Sequence, residues 1–556
     1  MRATILPPWL AVILIALSVH AQDADDQWNT EDLSAAALSQ LKKLAVAEDS
    51  KNLQSIIVDD FESSPLQPAK RVRLLHDANW IVERSTDHSP AKTTTKLIDE
   101  LRSLPRGKSH FKIFRIESNG QLFTTLVKVQ FDGPMDGGFA QINATWQCQW
   151  SSEGDSPPRL KSIRITNFTK VQRMGKPPFV DCTESALGAN ASYHQQLRHG
   201  VDHWMSRIEY KHGIDIGGWQ GLAIGDVNGD HLDDLYACQP GGLPNLLYLQ
   251  KPDGTLSDHS KDAGTDFLDS THGALMIDVD NDGDQDLAIG VNHGVIIMAN
   301  NGAGTFKQTG AYPLPAAIPY SLTAADYDND GNLDLYVCCY NRRAGVNQHL
   351  VFARPVPYHD ANNGGRNVLL QNVGDGQFKH VTASVGLDQN NRRFSYAAAW
   401  EDYDNDGDQD LYVANDFGRN NLYRNNSGRF SDVASECGVE DIAPGMSVTW
   451  GDYDNDGLMD IYVSNMFSSA GNRIAFADRF HKDADVKTRA TFQRHARGNS
   501  LFKNLGNGKF RDVSIVAGAD MGRWAWGSTF CDLNNDGRED LLVTNGFITQ
   551  EDTGDL

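Results

Sequence analysis

The sequence predicts a mainly β chain, in which a β-propeller of six or seven blades follows a small α+β domain. Three observations predict it. A nine-residue acidic stretch recurs six times, and short apolar runs bounded by turn residues flank its copies. In the first third of the chain, a helical pattern gives way to period-two alternation.

The N-terminus carries an export pattern. Arg2 is a short basic region, residues 9–17 are an apolar core, and Val19-His20-Ala21 offers a small-residue cleavage site before Gln22. Residues 1–21 are therefore expected to be a signal peptide. No cysteine follows the cleavage site, which argues against a lipoprotein anchor. The apolar run is too short to span a bilayer well, so no stable membrane span is expected. The expected location is exported: periplasmic, cell-surface or extracellular.

Residues 29–61 read as helical, with Leu33, Leu38, Leu41 and Leu44 near helical spacing after the capping pair Asn29-Thr30. Strands at 111–117 and 122–131 flank Asn119-Gly120, a hairpin turn signal. A third strand alternates through Ala140, Ile142, Ala144, Trp146, Cys148 and Trp150, and residues 159–168 make a fourth. Helices followed by an antiparallel meander give an α+β domain over 25–172. His76, His88 and His110 are its catalytic candidates, but none sits in an acid–base constellation, which favours a structural or docking module.

Residues 173–214 are a linker with Pro177-Pro178, then a helix with Tyr193, Leu197, Val201, Trp204 and Ile208 on one stripe. His199 and His203 have a spacing that can bind zinc. The intervening residues lack the Glu of a metalloprotease motif and no third ligand is visible, so these read as solvated histidines.

The repeats occupy 215–556. The fourth copy reads Asp402-Tyr-Asp404-Asn-Asp406-Gly407-Asp-Gln-Asp410. Three carboxylates at alternate positions, a glycine and a closing carboxylate make a compact cage of oxygens. Ca²⁺ asks for this, taking six to eight oxygens at about 2.3–2.6 Å. The other copies are Asp226-Asn228-Asp230-Asp234, Asp278-Asp280-Asp282-Asp286, Asp326-Asp328-Asp330-Asp334, Asp452-Asp454-Asp456-Asp460 and Asp532-Asn534-Asp536-Asp540. The first has His231 in place of the glycine, so its turn is the least regular. The carbonyl of position seven is expected to add a ligand, leaving the Asp408 side chain dispensable. Solvated acidic turns would not recur six times at one offset. An EF-hand is rejected because position twelve is Val413 and the flanks read as buried strands.

First ligands are spaced by 52, 48, 76, 50 and 80 residues, a unit near 50 with two long insertions. Each unit reads as a strand, the acidic loop, a second strand, then a hairpin. That hairpin recurs at 368–378, 421–430 and 500–510 around a Gly-rich turn. Four antiparallel strands per unit make a propeller blade. Five complete blades and half of a sixth are legible. Strands near 203–218 would complete the sixth; alternatively the ring is an incomplete seven-bladed one.

A formal charge of −23 excludes nucleic acid as a natural partner. Much of it sits at the ligand positions, which hold 22 Asp. The insertions 341–366 and 467–498 run the other way. The first carries Arg342, Arg343, Arg354 and Arg366 against Asp360; the second carries Arg473, Arg479, Lys482, Lys487, Arg489, Arg494 and Arg497 against three Asp. Both follow a second strand and so emerge opposite the acidic loops, as a docking surface for an anionic protein or acidic glycan or as cations paired with neighbouring blades. Seven cysteines spread over the chain are no disulfide framework. Cys238, Cys338 and Cys531 read as core fillers, and Cys148 with Cys182 is a candidate bridge.

Residues 215–546 resemble the integrin-alpha-type FG-GAP/VCBS propeller, and in particular secreted proteins of the cartilage acidic protein-like family. The resemblance implies calcium at all six loops, with Asn228 and Asn534 as neutral ligands. The helix-then-meander order of 25–172 resembles the nuclear transport factor 2-like cone in topology alone. Together these point to an exported, calcium-stabilised propeller that binds or adheres to an extracellular or envelope partner. No nucleophile or base recurs beside the loops, so calcium reads as structural and the chain as a binding protein. The alternatives are a hydrolase-type enzyme with an accessory propeller and a glycan-binding lectin.

Overall fold

Alternation of apolar and polar residues sets both halves of the fold, and a different partner covers each apolar face. The computed structural model describes residues 29–85, 90–93, 96–119, 121–152, 156–208, 220–342 and 354–546. The expected signal peptide, His88, Gly120 and Arg343 lie outside the described residues. The chain is mainly β and divides into two units, Met1–Pro177 and Pro178–Leu556.

In the first unit the four expected strands are present and longer, as Lys108–Asn119, Leu122–Met135, Gly138–Ser151 and Arg159–Met174. Four more join them: Ile57–Ser63, Val72–His76, Trp80–Ser85 and Lys92–Thr93. The expected helix over 29–61 is corrected. It ends at Ala45, a short helix Ser50–Gln54 follows, and Ile57–Ser63 pairs parallel to Arg159–Met174. Asp49 causes the break, its carboxylate accepting from the Asn52 N–H at 2.8 Å and so starting a new helix. The long helix lays Ala37, Leu41 and Leu44 in one core with Phe111, Phe131, Trp146 and Trp150. Trp150 keeps its indole N–H satisfied by donating to Thr125 Oγ1 at 3.0 Å.

The stripe over 193–208 is also corrected. A π-turn Tyr193–Leu197 and a helix Val201–Met205 are separated by Gly200, whose extended backbone cannot continue either. Residues 203–208 are helix and turn rather than the strand that would complete a sixth blade; 209–219 lie outside the described residues.

Six small antiparallel sheets follow, each in sequential strand order. Sheet I is Leu222–Gly225, Asp234–Ala237, Leu246–Gln250 and Leu256–Asp258. Sheet II is Thr271–Ile277, Asp286–Val291, Gly294–Ala299 and Lys307–Pro313. Sheet III is Ala317–Ala325, Asp334–Arg342, Val368–Asn372 and Phe378–His380. Sheet IV is Ser395–Glu401, Asp410–Asn415, Asn421–Asn425 and Phe430–Asp432. Sheet V is Gly445–Gly451, Asp460–Asn465, Ser500–Asn504 and Phe510–Asp512. Sheet VI has the two strands Ala525–Cys531 and Asp540–Asn545 among the described residues.

First strands pack on one another in order from sheet I to sheet VI. The apolar clusters accordingly lie between sheets. Tyr236 and Leu287 share one, Leu335 and Ile297 the next, Tyr423 and Tyr336 a third, Tyr412 and Ile461 a fourth. A strand sandwiched this way buries both faces, as Asp410–Asn415 and Asp460–Asn465 do throughout.

The joint between sheets is polar as well. The Asn425 amide donates to the Tyr327 carbonyl of the preceding sheet's acidic loop at 2.8 Å, and to the Gln409 carbonyl of its own loop at 3.1 Å. Asn300, Asn372 and Asn504 do the same, reaching back to the Val227, Val279 and Tyr403 carbonyls at 2.7, 2.7 and 2.9 Å. Asn425 is fully buried. Asn425→Ala leaves two carbonyls without this donor and should cost about 2–4 kcal/mol in urea unfolding. Exposed Asn426→Ala should change stability by less than about 0.5 kcal/mol. Equal effects of the two substitutions would contradict the inter-sheet role.

Candidate metal centre

Each acidic loop joins the first and second strands of its sheet, so its local geometry decides what the carboxylates can hold. Two positions in each loop take a left-handed backbone. Position six is Gly in five loops, such as Gly407 (φ 90°), and His231 (φ 66°) in the first. Position four is also left-handed: Asn281, Asn329, Asn405, Asn455 and Asn535 in loops 2–6, and Gly229 in loop 1. Asn tolerates this region better than most residues, and loop 1 moves its glycine to position four.

The side chains then organise the backbone. The first Asp accepts from the N–H groups of positions five and six, at 3.0 and 2.9 Å for Asp402 and at 3.0 and 2.8 Å for Asp326. In loop 6 these bonds, led by Gly537, hold the Asp532 carboxyl below the usual carboxylate range. The fifth residue accepts from position seven, at 2.9 Å in Asp406.

The closing Asp is the most enclosed. Asp234, Asp334, Asp410 and Asp460 are fully buried, and Asp286 nearly so; Asp540 is half-exposed. One oxygen accepts from the third strand, as Asn425 N–H donates to Asp410 Oδ1 at 2.7 Å and Asn504 N–H to Asp460 Oδ1 at 2.7 Å. Burial still prevails over these bonds. It pushes Asp334, Asp410 and Asp460 up to about 7, about 8 and about 7, and raises Asp234 and Asp286 in the same direction.

The residues fit a divalent cation. Loops 2–5 each bring three carboxylates within 4.8 Å: Asp278, Asp280 and Asp282; Asp326, Asp328 and Asp334; Asp402, Asp404 and Asp410; Asp452, Asp454 and Asp460. Asp280, Asp328, Asp410 and Asp460 each bury a carboxylate oxygen with no hydrogen-bond partner, which is costly unless something positive faces it. Hard oxygen donors without Cys or His suit Ca²⁺ among common ions. Loops 1 and 6 do not gather three carboxylates. There the Asn228 and Asn534 amides donate to Asp230 and Asp536 at 3.2 Å.

Several neighbours escape the sequence pattern. Asp408 is not idle: it accepts from the Ser427 N–H at 2.7 Å and from Asn329 of the preceding loop at 3.2 Å, tying hairpin and loops together. The third-strand residue before the inter-sheet Asn faces the loop. Gln371 donates to Asp328 at 2.6 Å, Arg424 lowers the charge repulsion at Asp404, and the Lys503 ammonium lies against Asp454 and, at 2.8 Å, Asp456. Loop 5 thus carries a cation of its own. The one advance signal was the column itself, Leu249, Ala299, Gln371, Arg424, Lys503.

Other candidates do not form centres. His199 and His203 stack at 3.7 Å, with no third metal ligand beside them among the described residues. His76 is exposed, and His110 pairs across its hairpin with Gln130. Cys148 and Cys182 are both free thiols, so the candidate bridge is not formed; Cys238 and Cys338 are buried as core fillers, Cys531 only partly.

These hairpins define a class: acidic-loop β-repeat proteins whose blades are closed by carboxylates. The FG-GAP-like repeat family matches residues 226–289, 278–337, 402–463 and 490–543. Cartilage acidic protein 1 of Xenopus tropicalis is 29% identical over 126 residues, covering 21% of this chain and 19% of the relative. The Homo sapiens protein of that name is 29% identical over 129 residues, with the same coverage. The chain therefore carries FG-GAP-like repeats and shares homology with cartilage acidic protein 1 over part of its length. It spans about a fifth of the length of the curated relatives it matches. Among solved structures, an Agrocybe aegerita protein recognising non-reducing terminal N-acetylglucosamine aligns with 79% of this chain and 96% of its own, at 14% identity and TM-score 0.32. The Vibrio cholerae biofilm matrix protein Bap1 aligns with 52% and 38%, at 12% identity and TM-score 0.26. Superpositions this loose bear on no ligand.

Because the closing carboxyls titrate above their ordinary value, the folded chain without cation binds more protons than the unfolded chain between about pH 4 and 8. Its stability therefore falls as pH rises through that window. Calcium binding at pH 6.5 should release protons, and at pH 9 it should not. Titration calorimetry in buffers of different ionisation enthalpy checks this, and a buffer-independent heat at pH 6.5 would contradict it. Lys503→Met should tighten the weakest calcium site in the same titration, since it removes the ammonium that competes with calcium at loop 5.

Proposed function

We propose that this chain is an exported, calcium-stabilised β-propeller protein that binds an extracellular or envelope partner. The single observation that carries the reading is the set of four carboxylate triads with buried, unpartnered oxygens on successive hairpins. Ca²⁺ would neutralise carboxylates that otherwise repel one another and would fix the turn of each blade. Calcium at loops 1 and 6, and ring closure at six or seven blades, belong to the same proposal. The export pattern at 1–21 supports the location, and no helix among the described residues is long and apolar enough to cross a membrane. The first unit, with its long helix packed on an antiparallel meander, is proposed as a nuclear transport factor 2-like docking module.

The basic insertions are the proposed contact surface. Tyr358 of the first packs against Phe492 and His495 of the second, with ring centroids 6.3 and 5.1 Å apart, so the two insertions meet. Some of their cations are used internally. Arg494 pairs with buried Asp441 at 3.1 Å, Arg497 with Asp512 at 2.7 Å, and Arg366 with Asp388 at 3.2 Å. Lys482 and Lys487 are exposed and left for an anionic partner.

Retention of the intact protein on a sulfated-polysaccharide matrix, in calcium buffer, tests the surface. Lys482→Glu with Lys487→Glu should elute at clearly lower salt while unfolding as the parent does. Unchanged retention would remove the docking role and leave the insertions as internal ion-pair partners.

A further inference from the structure

The end of the second unit opposite the acidic loops holds a cluster that neither calcium nor the basic insertions explain. Asp416 follows the second strand of sheet IV, and Tyr396 lies near the start of that sheet's first strand. Tyr320 and Trp526 occupy the same register, six residues before the first loop aspartate, in sheets III and VI; His272 does so in sheet II. Tyr340 lies toward the far end of the second strand of sheet III.

The rings touch. Tyr320, Tyr340 and Tyr396 form a closed triad with centroids 5.1, 5.8 and 5.9 Å apart, Trp526 meets Tyr396 at 5.5 Å, and His272 meets Tyr320 at 5.1 Å. The Tyr340 hydroxyl donates a hydrogen bond to Asp416. Asp416, Tyr340 and Tyr396 are each only partly buried, so a ligand can reach the carboxylate and two of the rings.

Charge and hydrogen bonding then select the ligand. Among the described residues Asp416 has no ion-pair partner, and its enclosure raises its carboxyl to about 7. His272 is buried against Tyr320 and donates its Nε2–H to the Asn292 amide oxygen at 2.8 Å. A carboxylate and several aromatic faces both favour a positively charged donor. A neutral sugar could stack on the rings but would leave the enclosed charge uncompensated.

We propose that this aromatic–carboxylate cluster binds an organic ammonium group, free or at the end of a partner's side chain, through cation–π contact with the tyrosine triad and an ion pair with Asp416. The site is distinct from the calcium loops and from the lysines of the basic insertion, and stands whether or not either reading holds.

The test uses the intact protein in calcium buffer, with n-butylammonium as probe and 1-butanol as its neutral counterpart, followed by ligand-observed NMR. The ammonium should bind saturably, and butanol at least about tenfold more weakly. Asp416→Asn keeps an acceptor for Tyr340 and should lose about tenfold in ammonium affinity with its thermal unfolding unchanged. Should that variant fail to fold, Tyr396→Ala with the same probes, and the selectivity of the parent protein, decide alone. Equal binding of butylammonium and butanol, or an unaffected Asp416→Asn, would overturn the proposal. So would methyl N-acetylglucosaminide binding where butylammonium does not, which would make the cluster a neutral-sugar site.

Discussion

A carboxylate shut away from water is the constraint on which this second unit depends. The closing aspartate of each loop starts a second strand that lies between two sheets, so in five sheets it is buried with the strand. Desolvation of a charged group is expensive, and the backbone bonds that Asp410 and Asp460 receive do not return their carboxyls to the usual range. What remains is either a proton or a cation. The same aspartates orient the third-strand Asn that reaches back to the previous loop, so the metal loop and the joint between sheets are one assembly.

The acidic loops were largely legible from the sequence because their carboxylates are local. Alternate spacing, Gly407 and its equivalents, and the apolar flanks fall within about a dozen residues, and they specified five four-stranded sheets and the positions of the loops. What was missed is long-range. Asn425 was visible as a recurring residue, yet its acceptor at Tyr327 lies 98 positions away in another sheet. Asp408 was read as dispensable because its partners Ser427 and Asn329 come from a hairpin and a neighbouring loop. The left-handed Asn at position four was a local signal, present in five of six loops, that a ligand-only reading passes over. The early helix was overextended because leucine spacing continues past Ala45 while Asp49 restarts the backbone.

The two ends of the sheets carry different chemistry. One end is a row of acidic turns, four of which gather three carboxylates that fit a hard cation. The other carries aromatic side chains from the first strands, an enclosed carboxylate and two insertions that pack on each other. With the repeated acidic turns setting one end, the other is free to vary in side chains and loop length, the arrangement expected of a binding scaffold.

The most direct measurement is thermal unfolding of the intact protein at pH 7.5, with free calcium stepped from chelated to millimolar. Native-state binding at several loops predicts a midpoint that climbs with each tenfold rise in free calcium, well beyond the shift given by equal magnesium. A midpoint that stays fixed from chelator to millimolar calcium would contradict the account, because the buried closing carboxylates would then be satisfied without a cation.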